Sequence, residues 1–402
     1  ADISGGLRAS LLAPLRVAYA VQRAVLQRER KTKKKEKGKT SSTAVSAKGL
    51  GEVGEGKKLD EVCHNFARGR CRKGSQCRRL HVHAGASIIM GKTARNTNTV
   101  IIPWVLSCFP DEAADTIDDQ ILAVLQGGMN YMDVRNVDGT NVADLSVATA
   151  QHLRAKLERA GVRVNMLGSP IGKCSLDSRD ALKDVDRLRH LAVIGKILGC
   201  NRVRIFSYAN CKKELPLSEN VWRAASLQRL VCLKAEAARL GLVLFLENEG
   251  DPPCRMRSLL VELRDPGVFG AIFDVDNYLQ CGEDTWCAWE TLRGCTDAFH
   301  LKESKQAVGG GSGGAGGGRF EHMPLGSGDG QVARILRDAR KTGFQGSLSV
   351  EPRLTHSSAA LATGPHGDGS ESLKGLGNKA ATFQMTADAA VSMLQAVFSS
   401  TG

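Results

Sequence analysis

Between Thr99 and Phe398 short apolar runs alternate with amphipathic stretches about eight times, and this rhythm constrains the fold more than any other feature of the chain. The apolar runs are TVIIPWVLS, YMDVRN, VRVNMLG, RVRIFSY, LVLFLENE, GAIFDVDN, DAFHLKE and SLSVEP, each of strand length. Between them lie ATAQHLRAKLERAG, ALKDVDRLRHLAVIGKILGC, AASLQRLVCLKAEAARLG, TWCAWETLRG and VARILRDARKTG, and a last such stretch is ADAAVSMLQAVF. These have the amphipathic character of helices. Strand followed by helix, repeated in this way, predicts an α/β protein with a (β/α)₈ TIM barrel over residues 97–398, a doubly wound open sheet being the alternative. GGGSGGAGGG, residues 309–318, lacks a Lys-Ser/Thr pair and a following helix start, so it reads as a flexible insert after the seventh strand.

A barrel of this kind gathers its chemistry where strands end at the C-terminal face. The fifth strand ends in Glu247, the sixth in Asp274, the seventh in His300 and the eighth in Glu351. Intervals of 27 and 26 residues match single strand–helix units, and the following 51 match one unit plus the Gly-rich insert. Three carboxylates and an imidazole on four consecutive strands would converge on one point. That donor set favours a divalent ion, Mn²⁺, Mg²⁺, Co²⁺ or Zn²⁺. Strand alternation places Glu249, Asp276, Lys302 and Arg353, each two residues after a ligand-type residue, toward the same interior.

The front of the chain is different in kind. Residues 1–90 hold 20 Lys and Arg against 7 Asp and Glu, whereas the remainder is balanced at 35 against 35. The basic excess therefore belongs to the front alone and points to a polyanionic partner there. Residues 1–58 read as a basic segment, partly helical or disordered. Within it, Leu7–Arg28 is poor in acids and spaced by arginines, which leaves a mitochondrial or plastid transit helix open beside a plain surface helix. Residues 59–84 carry Cys63, Cys71, Cys77 and His81, four ligands in nineteen residues, a spacing able to wrap a structural tetrahedral Zn²⁺. The other nine cysteines are scattered singly, as expected in a reducing compartment; the expectation is a cytoplasmic protein, with the nucleus as an alternative. No run is long and apolar enough for a membrane span.

The Cys and His spacing, with the stretch FARGRC, resembles the CCCH zinc-finger family. That resemblance implies contact with single-stranded RNA through Phe66, Arg68, Arg70, Arg72, Lys73, Arg78 and Arg79. In the body, DVRNVDGTNVADLS, GSPIGK, LFLENEGDPP, GAIFDVDNYLQCGED, FHLKES, PLGSGDG and LSVEPRL resemble the sugar phosphate isomerase/epimerase group of the xylose isomerase-like TIM barrels. The resemblance implies that Glu247, Asp274, His300 and Glu351 are metal ligands, and that Glu247 and Glu351 move protons beside a substrate carbonyl. Lys302 would steady the enediolate, and Arg135, Lys173, Glu249 and Arg353 would lie on the substrate side. The implied activity is metal-dependent isomerisation or epimerisation of a small sugar, keto-sugar or polyol. The alternative is an RNA-binding or regulatory protein whose barrel is a non-catalytic scaffold. Two departures bear on substrate identity: Arg353 stands where relatives often have His, and Ser327 where an acid is common. Too few histidines are present for the three-zinc site of the related endonuclease IV.

Overall fold

The computed structural model describes residues 58–62, 79–80, 87–90, 99–210, 217–306, 320–353 and 376–399. The chain divides into two compact units, Ala1–Val82 and His83–Gly402. In the first unit the described residues are two short strands, Lys58–Val62 and Arg79–Leu80, paired in parallel. Cys63, Cys71, Cys77, His81, Phe66, Arg68, Arg70, Arg72, Lys73 and Arg78 lie outside the described residues; Arg79 is described as part of its strand.

The second unit is a parallel eight-stranded barrel. Its strands are β1 (Val105–Cys108), β2 (Tyr131–Val134), β3 (Arg163–Leu167), β4 (Arg202–Ile205), β5 (Val243–Glu247), β6 (Phe269–Asp274), β7 (Ala298–Leu301) and β8 (Ser347–Val350). Hydrogen-bonded order runs β1-β8-β7-β6-β5-β4-β3-β2. The two ends of that row adjoin, bridged by Ser107 Oγ donating to Asp133 Oδ1 at 2.7 Å. Helices cover the outside, among them α1 (Ile117–Gln126), α2 (Val147–Ala160), α3 (Asp184–Leu198), α4 (Glu219–Leu240), α5 (Pro253–Leu263), α6 (Val275–Gln280), α7 (Thr285–Leu292), α8 (Val332–Lys341) and α9 (Leu376–Ser399).

The first apolar run does not form one strand. Pro103, which lacks an N–H and has a fixed φ, splits it. Thr99–Ile102 pairs antiparallel with Ser87–Met90 outside the barrel, and only Val105–Cys108 enters it. Trp104 follows the break and is buried. Its Nε1 donates to Phe344 O at 2.7 Å, and its ring meets Phe344 and Phe398 edge-on at 5.2 and 4.8 Å. Three helices, α1, α5 and α6, add to the helical stretches named from the sequence. After β7 the chain forms an antiparallel pair, Glu303–Gln306 with Phe320–Met323, and the Gly-rich insert connecting them lies outside the described residues.

The barrel interior is layered. A small apolar set, Met166, Phe245, Ile272 and Ala298, fills part of it. Another part is polar: Asp133, fully buried, accepts hydrogen bonds from Ser107, Asn165 and Ser349 at 2.7, 2.6 and 2.7 Å. Arg202 joins this network through Asn165 Oδ1 at 2.7 Å and Ser347 Oγ at 2.9 Å. The larger apolar core lies between the strands and the helices, where the sheet's outward residues meet the helices' inner stripe.

Candidate active site

Glu247, Asp274, His300 and Glu351 meet at the C-terminal mouth of the barrel, all four buried, each offering a ligand-type atom within 4.8 Å of the others. The parallel register brings them there: Asp274 pairs with His300 across β6 and β7, and His300 with Ser349, two residues before Glu351. His300 Nδ1 faces all three acids, 3.0 Å from Glu247 Oε1, 3.8 Å from Glu351 Oε2 and 3.9 Å from Asp274 Oδ2. The Phe109 ring stands edge-on to the imidazole at 5.1 Å and so fixes its plane. Asp274 has a second duty, its Oδ1 capping α6 by accepting from Asn277 N at 3.0 Å. Asn248 ties the ends of β5 and β6 together, donating to Asp274 O at 3.0 Å and accepting from Asp274 N at 2.9 Å.

Glu351 is held from both ends. Its Oε1 accepts from Arg135 Nη1 at 2.8 Å and from Arg353 Nη2 at 2.9 Å, while its Oε2 lies 3.4 Å from Lys302 Nζ. Burial alone would raise its pKa, but Lys302, Arg135, Arg353 and His300 bring it well below the usual carboxylate range. Arg135 in turn is braced by Asp111 at 2.7 Å and Glu112 at 2.9 Å. Arg353 donates its backbone N–H to Glu112 Oε2 at 2.7 Å and adopts φ 53°, an uncommon conformation for a residue other than glycine.

Lys302 is 3 % exposed and points inward, its Nζ 2.8 Å from Asp274 Oδ2. Burial would lower its pKa, but Asp274, Glu351 and Glu247 push it above the ordinary lysine value, so it is a fixed positive charge. Glu249 and Lys173 pair at 2.9 Å on the half-exposed rim, apart from the ligand cluster. Asp276 departs from the expected interior direction. The strand ends at Asp274 and α6 begins, so alternation no longer applies, and Asp276 bonds Ser304 and Gln280 and faces His322 at 3.5 Å.

Several residues at the mouth carried no single-residue signal in the sequence. Arg204, on β4, lies 3.3 Å from Glu247 Oε2. Its signal was a charge inside an apolar strand, at the same parity as Arg202. Phe109, Asp111 and Glu112 follow β1, and their proximity to Arg135 depends on barrel closure. Lys173 is positioned by the turn at Gly172, where φ is 76° and a Cβ would lie 2.1 Å from Phe206 O. Gly172 N donates to Asp184 Oδ2 at 3.1 Å, and the same oxygen accepts from Tyr208 Oη at 2.9 Å.

The cluster has the chemistry of a divalent-cation site. Burial raises the pKa of Asp274, and repulsion from Glu247 and Glu351 adds to this against the opposing Lys302. Burial would lower the pKa of His300, but Glu247, Glu351 and Asp274 raise it above the ordinary imidazole value. Among the described residues, Glu247 Oε2 and Asp274 Oδ2 accept no hydrogen bond of good geometry; Glu247 Oε2 is matched by an ion pair with Arg204, and Asp274 Oδ2 by Lys302 with His300 farther off. Hard oxygens converging with one imidazole nitrogen in a buried site suit Mn²⁺, Mg²⁺, Co²⁺ or Zn²⁺.

The sequence profile of the Xylose isomerase-like TIM barrel family matches residues 122–374. The profile for the zinc finger of C-x8-C-x5-C-x3-H type and similar matches residues 60–83, within which the first interval here is seven residues. No curated protein matches the chain. Among solved structures, the IOLI protein with a binding zinc atom superposes with a TM-score of 0.55 at 14% identity, covering 73% of this chain and 99% of that one. A D-tagatose 3-epimerase-like protein gives 0.50 at 14% identity, covering 62% and 90%. A xylose isomerase-like TIM barrel protein from Mycobacterium smegmatis in complex with magnesium gives 0.49 at 17% identity, covering 68% and 88%. At such identities the likeness is one of fold. The profile match spans more than half of the chain and falls on the eight-stranded barrel, and the chain belongs to the xylose isomerase-like TIM barrel family.

Proposed function

We propose that the barrel is a metal-dependent isomerase or epimerase acting on a small sugar, keto-sugar or polyol. The observation that carries this reading is the buried convergence of Glu247, Asp274, His300 and Glu351. These four would hold a divalent cation, which supplies polarisation of a substrate carbonyl and so acidifies the adjacent C–H. Lys302, kept protonated by its neighbours, donates to the oxygen on which negative charge develops. Glu247 and Glu351 are the proton carriers. Return of the proton to the same carbon from the opposite face inverts it, and return to the neighbouring carbon moves the carbonyl. Arg135 and Arg353 keep Glu351 Oε1 engaged, so only Oε2 of that residue is turned toward the cluster. Lys173 and Glu249 line the rim where a substrate's far end would rest.

The finger match and the basic front support a second module on the same chain, a zinc-held knot contacting single-stranded RNA. In that reading the finger recruits and the barrel reacts. The test is metal analysis of the full chain after loading with Mn²⁺ or Zn²⁺, followed by a ketose panel. Turnover lost in Glu247→Gln and in Glu351→Gln, with secondary structure kept, is the expected result. A barrel that takes up no cation, or variants that turn over like the parent, would leave the scaffold reading in its place.

A further inference from the structure

The wall of the mouth beside β4 is built around Arg204, which is 4 % exposed. Its contacts are long for a charged donor: Nη1 lies 3.3 Å from Glu247 Oε2, and Nη2 3.4 Å from Gly168 O. Among the described residues, its buried Nε donates to no protein atom. A guanidinium carries five N–H donors in a planar fork, and buried donors are normally matched. This one has an edge to spare.

The surroundings favour an anion at that edge. Phe109 and Phe206 flank the guanidinium, with Arg204 Cζ 5.3 and 4.9 Å from their ring centroids. Arg135 Cζ lies 4.9 Å from the Phe109 centroid and Lys173 Nζ 4.9 Å from that of Phe206, so two phenyl rings serve three cations. Phe109 also touches His300, which joins this wall to the ligand cluster. Around the mouth, Asp111, Glu112, Glu247, Glu249, Asp274 and Glu351 stand against Arg135, Lys173, Arg204, Lys302 and Arg353. With a divalent cation in the cluster, and with the buried Asp276 within electrostatic reach of Lys302 counted as well, acids and cations around the mouth balance. A carboxylate disturbs that balance less than a phosphate dianion. A planar carboxylate also matches the two-pronged guanidinium.

We infer that the substrate is a sugar acid whose carboxylate docks on Arg204 between Phe109 and Phe206. This rests on the metal-dependent reading given above and narrows it from sugars at large to polyhydroxy and keto acids.

The test uses the full chain loaded with Mn²⁺, whose uptake is followed separately by electron paramagnetic resonance, and two calorimetric probes with six carbons each, D-gluconate and D-glucitol. They differ at the carboxylate. Gluconate should bind at least about tenfold more tightly than glucitol. Arg204→Gln should bring the ratio of gluconate to glucitol affinity down to about one, whatever it does to both probes together through Glu247. Arg204→Lys keeps the charge beside Glu247 and loses the fork, so it should cut the preference severalfold even where the Gln variant folds poorly. Mn²⁺ bound with equal affinity for both probes would overturn the sugar-acid inference alone. A chain that binds no Mn²⁺ would overturn the metal-dependent reading and the inference with it.

Discussion

Arg135 and Glu351, 216 residues apart in the chain, meet at 2.8 Å across the mouth of the barrel. They stand just after β2 and just after β8, on either side of β1, and the turn after β1 supplies the acids that brace the arginine. One guanidinium therefore sets the angle of a ligand-type carboxylate and joins three consecutive staves of the barrel. Residues that orient ligands are worth roughly 10- to 100-fold in metal affinity. Arg135→Gln should weaken Mn²⁺ binding by about tenfold or more on that basis, and should also lower the melting temperature, because Asp111 and Glu112 lose a cationic contact and keep Asn136 and Arg353. Titration of Mn²⁺ into parent and variant checks this; unchanged affinity would make the clamp irrelevant to the metal.

Metal uptake should release protons. Asp274 and His300 both have pKa values raised in the metal-free cluster, by burial with nearby acids for Asp274 and by the acids against burial for His300. A cation must displace the protons these groups hold, so affinity rises with pH through the raised range and flattens above it. Calorimetry in buffers of different ionisation enthalpy, from about pH 6 to 8, reads the proton count. Affinity independent of pH over that interval would refute the linkage.

Asp133 is the hub of the buried polar layer, and its removal should be costly. Asp133→Ala strands the donors of Ser107, Asn165 and Ser349 and leaves the positive charge of Arg202 without its nearest compensating acid. Breaking a buried charged network in this way costs about 3 to 5 kcal/mol. Denaturant unfolding of the metal-free protein measures it, and a loss below about 1 kcal/mol would show that the layer reorganises freely.

Gly172→Ala should displace the Lys173 turn. The new Cβ would fall against Phe206 O, and the positive φ is unfavourable for alanine. Lys173 would then leave the Phe206 face, and backbone amides from Gly168 to Cys174 should exchange faster with solvent. Hydrogen exchange by mass spectrometry reports on that segment directly; protection equal to the parent's would show that the turn absorbs the methyl.

Cys71→Ser should remove one equivalent of zinc from the full chain and abolish crosslinking to single-stranded RNA. A structural zinc site loses its metal when one of four ligands goes. Zinc content by plasma mass spectrometry, with ultraviolet crosslinking on the same samples, separates the two effects. Zinc retained in the variant would count against Cys71 as a ligand.

Much of the barrel was legible because each strand carries its own local signal. Six of the eight barrel strands fall inside the apolar runs and β1 and β6 overrun theirs by one residue, and the ligand-type residues at the ends of β5 to β8 could be found by counting from one strand to the next. Pro103 was visible as well, yet the run around it is apolar on both sides, and only the antiparallel partner Ser87–Met90 shows that the halves part company. Lys302 and Arg353 reach the cluster from just beyond their strands, Arg353 through a left-handed backbone, and Glu249 stays at the rim. Asp276 does not follow strand parity, because a helix cap at Asp274 ends the alternation. Arg204 reaches Glu247 through the pairing of the adjacent strands β4 and β5, whereas Phe109, Asp111 and Glu112 owe their contact with Arg135 to closure of the sheet between β1 and β2. No local pattern encodes that approach.

The seat of Trp104 against Phe344 and Phe398 has a consequence for the order of events during synthesis. β1 leaves the ribosome early, but its ladder partner β8 and the aromatic rings that brace its entry come from the far end of the chain. Contacts of such long sequence separation form late and slowly. The opening stave must wait for nearly the whole body to be made, and a nascent chain halted before α9 would expose an indole that the finished protein conceals.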